Sequence, residues 1–165
     1  MKAHFTMMAA YNAWANRRLY EAAGRLPEAD YRADLGASFR SVHGTLNHLL
    51  VADLMWMARF RGEPNPPYRL DQILHEDRDA LGAARETLDG EIVRFVGGLS
   101  EERLAAGFTY RLITRDEEVT QPLAPALAHF FNHQTHHRGQ AHALLTRLTW
   151  EAPALDLIYF QREAA

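Results

Sequence analysis

The segment QPLAPALAHFFNHQTHHRGQAHALLTRLT, residues 121–149, combines an apolar helical stripe with five of the nine histidines of the chain. Pro122 suits the first turn of a helix, and Pro153 prevents the helix from continuing. On a helical wheel, several apolar residues fall within about 60° of Leu123. They are Ala126, Leu127, Phe130, Ala141, Leu144, Leu145 and Leu148. This pattern predicts a long helix that packs one face against a core.

Three further segments show the periodicity of amphipathic helices, over about residues 2–25, 41–61 and 71–99. The second of these is apolar almost all the way round, which is typical of a helix buried on several sides. Ser41 suits its N-cap, and the proline-rich loop RGEPNPPYRL at 61–70 follows it. Together the four helices predict an all-α, up-down four-helix bundle that forms a single domain over residues 1–165.

The connections between the helices contain weaker signals. FTYRLI at 108–113 and EVT at 118–120 are rich in β-formers, and TRDE at 114–117 suits a turn. We therefore expect a small β-hairpin between the third and fourth helices. PEADYRADLGASF at 27–39 predicts a turn or short helix, and ALDLIYFQREA at 154–164 predicts a final segment packed back on the bundle.

Composition narrows the class of protein. The formal net charge is -3 with neutral histidines, which disfavours a general nucleic-acid binder. The chain has no cysteine, so disulfides, thiolate metal sites and cysteine nucleophiles are excluded. The first helix lacks the unbroken apolar region of a signal peptide, and no apolar run reaches the roughly 18 residues that span a bilayer. We expect a cytoplasmic protein without a membrane partner.

The wheel of the fourth helix separates its five histidines. His137 falls inside the apolar stripe and His133 at its edge, whereas His136 and His142 should face solvent or a partner and His129 is intermediate. His133 and His137 are four residues apart, so their Cβ atoms should lie about 5–6 Å from each other. With zinc–nitrogen bonds of about 2.0–2.1 Å, both imidazoles can bind one ion.

A third ligand is suggested by His48, in the middle of the second helix. A buried histidine needs a hydrogen-bond partner or a metal to offset its desolvation. Taken alone, His48 is better explained as a hydrogen-bonded core residue, and an i, i+4 histidine pair also occurs on solvated helices. Taken together, the three histidines favour a divalent-metal site. His43, His4 and His75 lie near the ends of elements, where we expect exposure.

Three stretches of the chain resemble the DinB family of helical-bundle proteins, within the DinB/YfiT-like superfamily. They are SVHGTLNHLLVADLMWMARF at 41–60, LAHFFNHQTHHRGQAHALLT at 127–146 and PALDLIYF at 153–160. The second stretch is the specific one, because it resembles the family segment Asn-His-x-x-x-His-Arg-Gly-Gln. The order and spacing of the elements fit this family across nearly the whole chain.

The resemblance implies a four-helix bundle with a metal site formed by His48, His133 and His137, and it implies a homodimer. Characterised relatives include thiol transferases and isomerases that use small thiols such as bacillithiol or mycothiol. A small-molecule substrate and a low-molecular-weight thiol cosubstrate are therefore expected. Three imidazoles leave an open coordination position. Imidazole ligands suit zinc, nickel, copper and iron, and among these we expect zinc or nickel.

Three functions are compatible with such a centre. The first is a metal-dependent transferase that moves a small thiol onto an electrophile, since a bound metal lowers the pKa of a thiol. The second is a metal-dependent hydrolase, since a bound metal lowers the pKa of water towards about 7. The third is a non-catalytic metal-binding dimer with a role in stress physiology.

Four polar residues are candidates for a supporting role. Asp53 could orient an imidazole as an outer-sphere carboxylate, or it could form an ordinary salt bridge. Arg138 could hold a carboxylate of a substrate or thiol cofactor, although a structural role in the bundle or dimer is favoured. Asn12 and Asn16 lie one turn apart on the first helix. They could form hydrogen bonds near the site, although a surface position is the simpler interpretation.

Overall fold

Four long helices dominate the computed structural model, which describes residues 1–112 and 117–163. They are α1 (Lys2–Gly24), α3 (Val42–Arg61), α4 (Arg78–Gly97) and α6 (Leu123–Thr149). Shorter elements are α2 (Glu28–Arg32), α5 (Glu101–Ala105), α7 (Leu157–Glu163), β1 (Gly107–Arg111) and β2 (Glu118–Pro122). The predicted four-helix bundle with a small hairpin is confirmed.

The long helices are not arranged around the bundle in chain order. α1 packs along α4 and α6, and α3 packs along the same two helices. α1 and α3 therefore occupy opposite corners, and the segment containing α2 crosses one end of the bundle. Each helix contributes fully buried leucines to the core between them, among them Leu19, Leu49, Leu81 and Leu123. Within the described residues, no helix has both the length and the apolarity needed to cross a membrane.

The start of α4 differs from the prediction. The helix begins at Arg78, where Asp77 accepts a hydrogen bond from the Ala80 amide at 2.8 Å, and not near residue 71. The preceding segment is held in an irregular conformation by Asn47 of α3. Its side-chain oxygen accepts hydrogen bonds from the Leu74 and His75 amides, which consequently do not pair within a helix.

The hairpin and the C-terminal segment agree with the sequence expectations. β1 and β2 are antiparallel, with Thr109 opposite Thr120, while most of the expected turn at 114–117 lies outside the described residues. Residues 121 and 122 extend β2, so α6 begins at Leu123. The segment that ends in α7 packs on α1, because Tyr11 donates a hydrogen bond to the Leu155 carbonyl at 2.7 Å.

Candidate metal centre

Three histidines from two neighbouring helices converge at one point of the bundle. His48 comes from α3, and His133 and His137 come from α6; one ring nitrogen of each lies within 4.8 Å of the other two. The Nε2 atoms of His48 and His137 are 3.3 Å apart. Two nitrogens bound tetrahedrally to one zinc ion at about 2.0–2.1 Å would be about 3.3 Å apart. The spacing of this pair therefore fits a shared ion.

The hydrogen bonds of these rings assign their tautomers. His48 Nδ1 lies 2.7 Å from the Leu70 carbonyl oxygen, and His137 Nδ1 lies 2.8 Å from Gln140 Oε1. Both partners are acceptors, so each Nδ1 carries the proton and each Nε2 presents a lone pair. Two facing lone pairs cannot hydrogen-bond to each other, whereas a cation between them satisfies both. The donor set thus fits a divalent metal.

The surroundings keep the imidazoles neutral. Burial lowers the pKa of His48 to about 4, and it lowers the pKa of His133 to about 3 with help from the neighbouring histidines. Burial also lowers the pKa of His137. Because only the neutral imidazole can bind a metal, these shifts leave the site ready for ligation at neutral pH.

Phe39 covers one side of the centre. Its ring stacks on His48 with centroids 3.6 Å apart and an interplanar angle of 13°, and its centroid lies 5.5 Å from that of His137. The turn that carries Phe39 places Arg40 at a φ of 68°. It also brings the Phe39 carbonyl oxygen against Gly44, where an added Cβ would lie 2.1 Å from it. Glycine at position 44 is therefore required for this close approach.

Asn47 fixes the loop that supplies the carbonyl partner of His48. Its amide nitrogen donates hydrogen bonds to the carbonyls of His43 and His75, at 3.1 and 3.2 Å, while its oxygen accepts the two amides described above. Asn47 is fully buried, and its hydrogen bonds are all to backbone. This side chain ties the segment after Leu70 to α3 and so helps to orient His48.

The other histidines of α6 lie outside the cluster. His136 is exposed and interacts with the Gln140 amide nitrogen at 3.3 Å. His129 is also exposed, with its ring centroid 5.1 Å from that of Trp56. His142 is half-buried and lines a separate pocket that includes Tyr11 and Arg138. The wheel thus distinguished His133 and His137 from their neighbours.

The expectation that His43 is exposed was wrong. Only 4% of its surface is accessible, because α2 and the loop before α4 cover the start of α3. Its Nε2 lies 2.9 Å from the His75 carbonyl oxygen, so that nitrogen is the donor. Its Nδ1 accepts from Arg32, with the two atoms 3.2 Å apart. His4 is exposed as expected, and His75 is half-buried.

Asp53 and Arg138 lie in a buried polar layer of the bundle. Asp53 accepts hydrogen bonds from Arg85 and Gln134, and in the described chain it does not bond to an imidazole. Arg138 is 2% exposed and donates to the side chain of Asn12. Asn12 and Asn16 are each 1% exposed, so their interpretation as surface residues was wrong.

Three residues that help to shape the centre had no role assigned from the sequence: Phe39, Asn47 and Gln140. Gln140 lies three residues after His137 on one helix, a spacing that brings two side chains together. Asn47 is a polar residue beside His48 in an otherwise apolar helix. The spacing of Gln140 from His137 and the polarity of Asn47 were both visible in the sequence. The contact of Phe39 with His48 depends on a loop conformation that no periodicity indicates.

Comparisons with known proteins support one family. The model of the DinB family matches residues 1–164. Protein DinB of Bacillus subtilis strain 168 is 24% identical in an alignment that covers 88% of this chain and 87% of that protein. YfiT from Bacillus subtilis, described as a probable metal-dependent hydrolase with an unusual four-helix bundle topology, has a similar fold. Its TM-score is 0.67 at 17% identity, over 92% of this chain and 91% of that one. Because the family model spans nearly the entire sequence, this chain belongs to the DinB family.

Proposed function

We propose that this protein is a divalent-metal-dependent enzyme that activates a small nucleophile, water or a low-molecular-weight thiol, at His48, His133 and His137. The observation that carries the proposal is the pair of Nε2 lone pairs of His48 and His137, which face each other at 3.3 Å. Three protein ligands leave a position open, which is the arrangement of catalytic rather than structural sites. When bound, the ion supplies Lewis-acid catalysis and lowers the pKa of the nucleophile.

The residues around the histidines would orient the ligands and shield one side. The Leu70 carbonyl and the Gln140 amide hold His48 and His137 by their Nδ1 protons, which directs both Nε2 atoms to the same point. Phe39 excludes water from the face of His48. His48 is 3% exposed, whereas His137 is 9% exposed and His133 is half-buried, so a substrate would reach the site past the two histidines of α6 rather than past His48.

The metal content of the protein tests the centre directly. We expect a near-stoichiometric ion, zinc or nickel, in untagged protein purified without chelator. The ion should be lost in His48→Ala, His133→Ala and His137→Ala. His136→Ala on the same helix is the matched control and should retain the metal. The proposal would be refuted if no variant differed from the parent, or if the parent stayed metal-free after incubation with zinc or nickel.

Two further measurements distinguish water from thiol as the nucleophile. The description of YfiT as a probable metal-dependent hydrolase favours water, and hydrolysis of simple esters that is lost with His137→Ala would support it. The resemblance to thiol-using relatives favours a thiol. A change in the visible spectrum of the cobalt-substituted protein on addition of bacillithiol or mycothiol would support thiol transfer.

We also propose that the protein is a homodimer, as its family resemblance implies. Sedimentation equilibrium of the full chain tests this, with twice the mass of 18.8 kDa as the expected result. A monomer at all concentrations would contradict it.

The coordination of the metal tests the third function. A bound metal with no exchangeable coordination position would indicate the non-catalytic metal-binding role.

A further inference from the structure

A closed ring of buried polar side chains crosses the bundle beside the metal centre. We call it the polar ring, and it consists of Asn12, Asn16, Asp53, Arg85, Asp89, Gln134 and Arg138. All its members are at most 6% exposed, and all four long helices contribute to it. A bundle of this kind can be built with an apolar core alone, so a polar layer across it requires a physical explanation.

One half of the ring connects α6 to α4 through α1. Arg138 of α6 donates hydrogen bonds to the side-chain oxygens of Asn12 and Asn16, the latter at 3.4 Å. The amide nitrogens of Asn12 and Asn16 donate in turn to Asp89 of α4, at 3.2 and 3.0 Å. Each asparagine therefore accepts from the cation and donates to the anion.

The other half returns from α4 to α6 through α3. Arg85 lies between two carboxylates, with Nη2 2.8 Å from Asp89 and Nη1 2.8 Å from Asp53. Gln134 of α6 donates to Asp53 and accepts from Arg138 at 3.4 Å, which closes the ring. Two guanidinium groups and two carboxylates balance the charge.

The ring and the metal centre share the same two turns of α6. Gln134 directly follows His133, and Arg138 directly follows His137, so one face of these turns carries the histidines and the adjacent face carries ring members. On α3, Asp53 lies five residues after His48. Any rotation or sliding of α6 against α3 that separated the histidines would also break the hydrogen bond from Gln134 to Asp53.

We propose that the polar ring sets the position of α6 against α3, and that Gln134 and Arg138 are positioning residues for His133 and His137. This inference rests on the proposed function, because the distance between His48 and the two histidines of α6 matters only if they bind one metal ion. Apolar faces can shift past one another at little cost, whereas hydrogen bonds are directional. A shifted α6 would move the buried cation Arg138 away from Asn12 and Asn16 and would separate Gln134 from Asp53, which is strongly unfavourable.

The test replaces Gln134 by methionine, which retains a long unbranched side chain and removes both ring bonds. Zinc affinity is measured on the full chain by competition with a chelator. We expect Gln134→Met to bind zinc roughly 10–100-fold more weakly, as is typical for partners that support metal ligands. The control is Leu145→Ala, which alters the buried far end of the same helix and should change zinc affinity by less than about threefold.

Unchanged zinc affinity in Gln134→Met would overturn the inference, and so would an equal loss in both variants, since that would indicate general loosening of the bundle. If Gln134→Met does not fold, Gln134→Asn keeps the amide but shortens it by one methylene. Its expected loss is smaller, and unchanged affinity would again overturn the inference.

A structural readout separates this inference from the proposed function. Failure of the parent protein to bind zinc would refute the metal site. In that case a crystal structure of metal-free Gln134→Met still decides the role of the ring. We expect the Nε2 atoms of His48 and His137 to separate beyond their distance of 3.3 Å in the parent. An unchanged distance would overturn the inference.

Discussion

Replacement of Arg85 by methionine should cost about 3–5 kcal/mol of unfolding free energy, because it leaves buried charges without their counter-ion. Arg85 lies 2.8 Å from both Asp53 and Asp89, and the side chains of the three residues are 3%, 1% and 8% exposed. Methionine fills much of the volume of the arginine stem, so the cost reflects mainly the lost charge. For a domain of this size, the loss corresponds to a fall of about 6–20 °C in thermal midpoint.

The assay is urea and thermal unfolding of metal-free protein at pH 7.5, with Arg94→Met as the control. Arg94 lies on the same helix but is exposed, so its replacement should change stability by less than about 0.5 kcal/mol. A cost for Arg85→Met below about 1 kcal/mol, with an unchanged denaturant slope, would refute the reasoning. It would mean that Arg85 is not required to stabilise the buried charges of Asp53 and Asp89.

The loss of unfolding free energy caused by Arg85→Met should also depend on pH. Burial raises the pKa of Asp53 to about 6, and Arg85 opposes that rise, so the pKa should increase further in Arg85→Met. An acid whose pKa is higher in the folded state than in the unfolded one stabilises the fold at low pH, and this contribution is lost as pH rises through the folded pKa. The cost of Arg85→Met should therefore shrink between pH 7.5 and pH 5.5. An equal cost at both values would contradict the assignment of the effect to Asp53.

Three other predictions concern the centre and its supports. At a zinc concentration 100 times Kd, the bound ion should add about 2.7 kcal/mol of stability; calorimetry should show this increment lost in His133→Ala and kept in His136→Ala. Zinc affinity, measured by chelator competition, should fall less than about fivefold from pH 7.5 to 6, because the pKa values of His48 and His133 lie near 4 and 3. Three histidines of ordinary pKa would lose roughly 50-fold. Gly44→Ala should cost more than about 2 kcal/mol in urea unfolding, because its Cβ would meet the Phe39 carbonyl. Gly139→Ala is the control for this substitution: an added Cβ there meets open space, so it should gain about 1 kcal/mol.

Helical periodicity was sufficient to predict the four helices and to select His133 and His137. These features depend on the spacing of residues along one helix, which the sequence contains directly. The start of α4 was predicted about seven residues too early, because the apolar spacing continues through Ile73. The side chain of Asn47, 27 residues away from Leu74, captures the backbone amides there. Such competition from a distant side chain leaves no periodic signal.

The pattern of a single helix identifies the members of the polar ring as core residues, but it does not identify their partners on the other helices. On the wheel of α6, Gln134 and Arg138 lie about 20° and 60° from Leu123, nearer the middle of the apolar stripe than His133. Arg85 likewise falls on the stripe of α4, four residues after Leu81. Their polarity at core positions was a usable signal. Their partners were not predictable, because Arg138 and Asn12 are separated by 126 residues and meet only in the folded bundle.

The placement of α1 and α3 at opposite corners has a consequence for the order of folding events. α1 and α3 pack chiefly on α4 and α6, and α6 is synthesised after both of them. An early helical hairpin of α1 and α3 is therefore not a native intermediate, and the nascent chain exposes apolar faces until α6 emerges. Contacts that join distant segments slow folding. We expect this bundle to fold more slowly than one whose successive helices are neighbours, and to depend more on chaperones during synthesis.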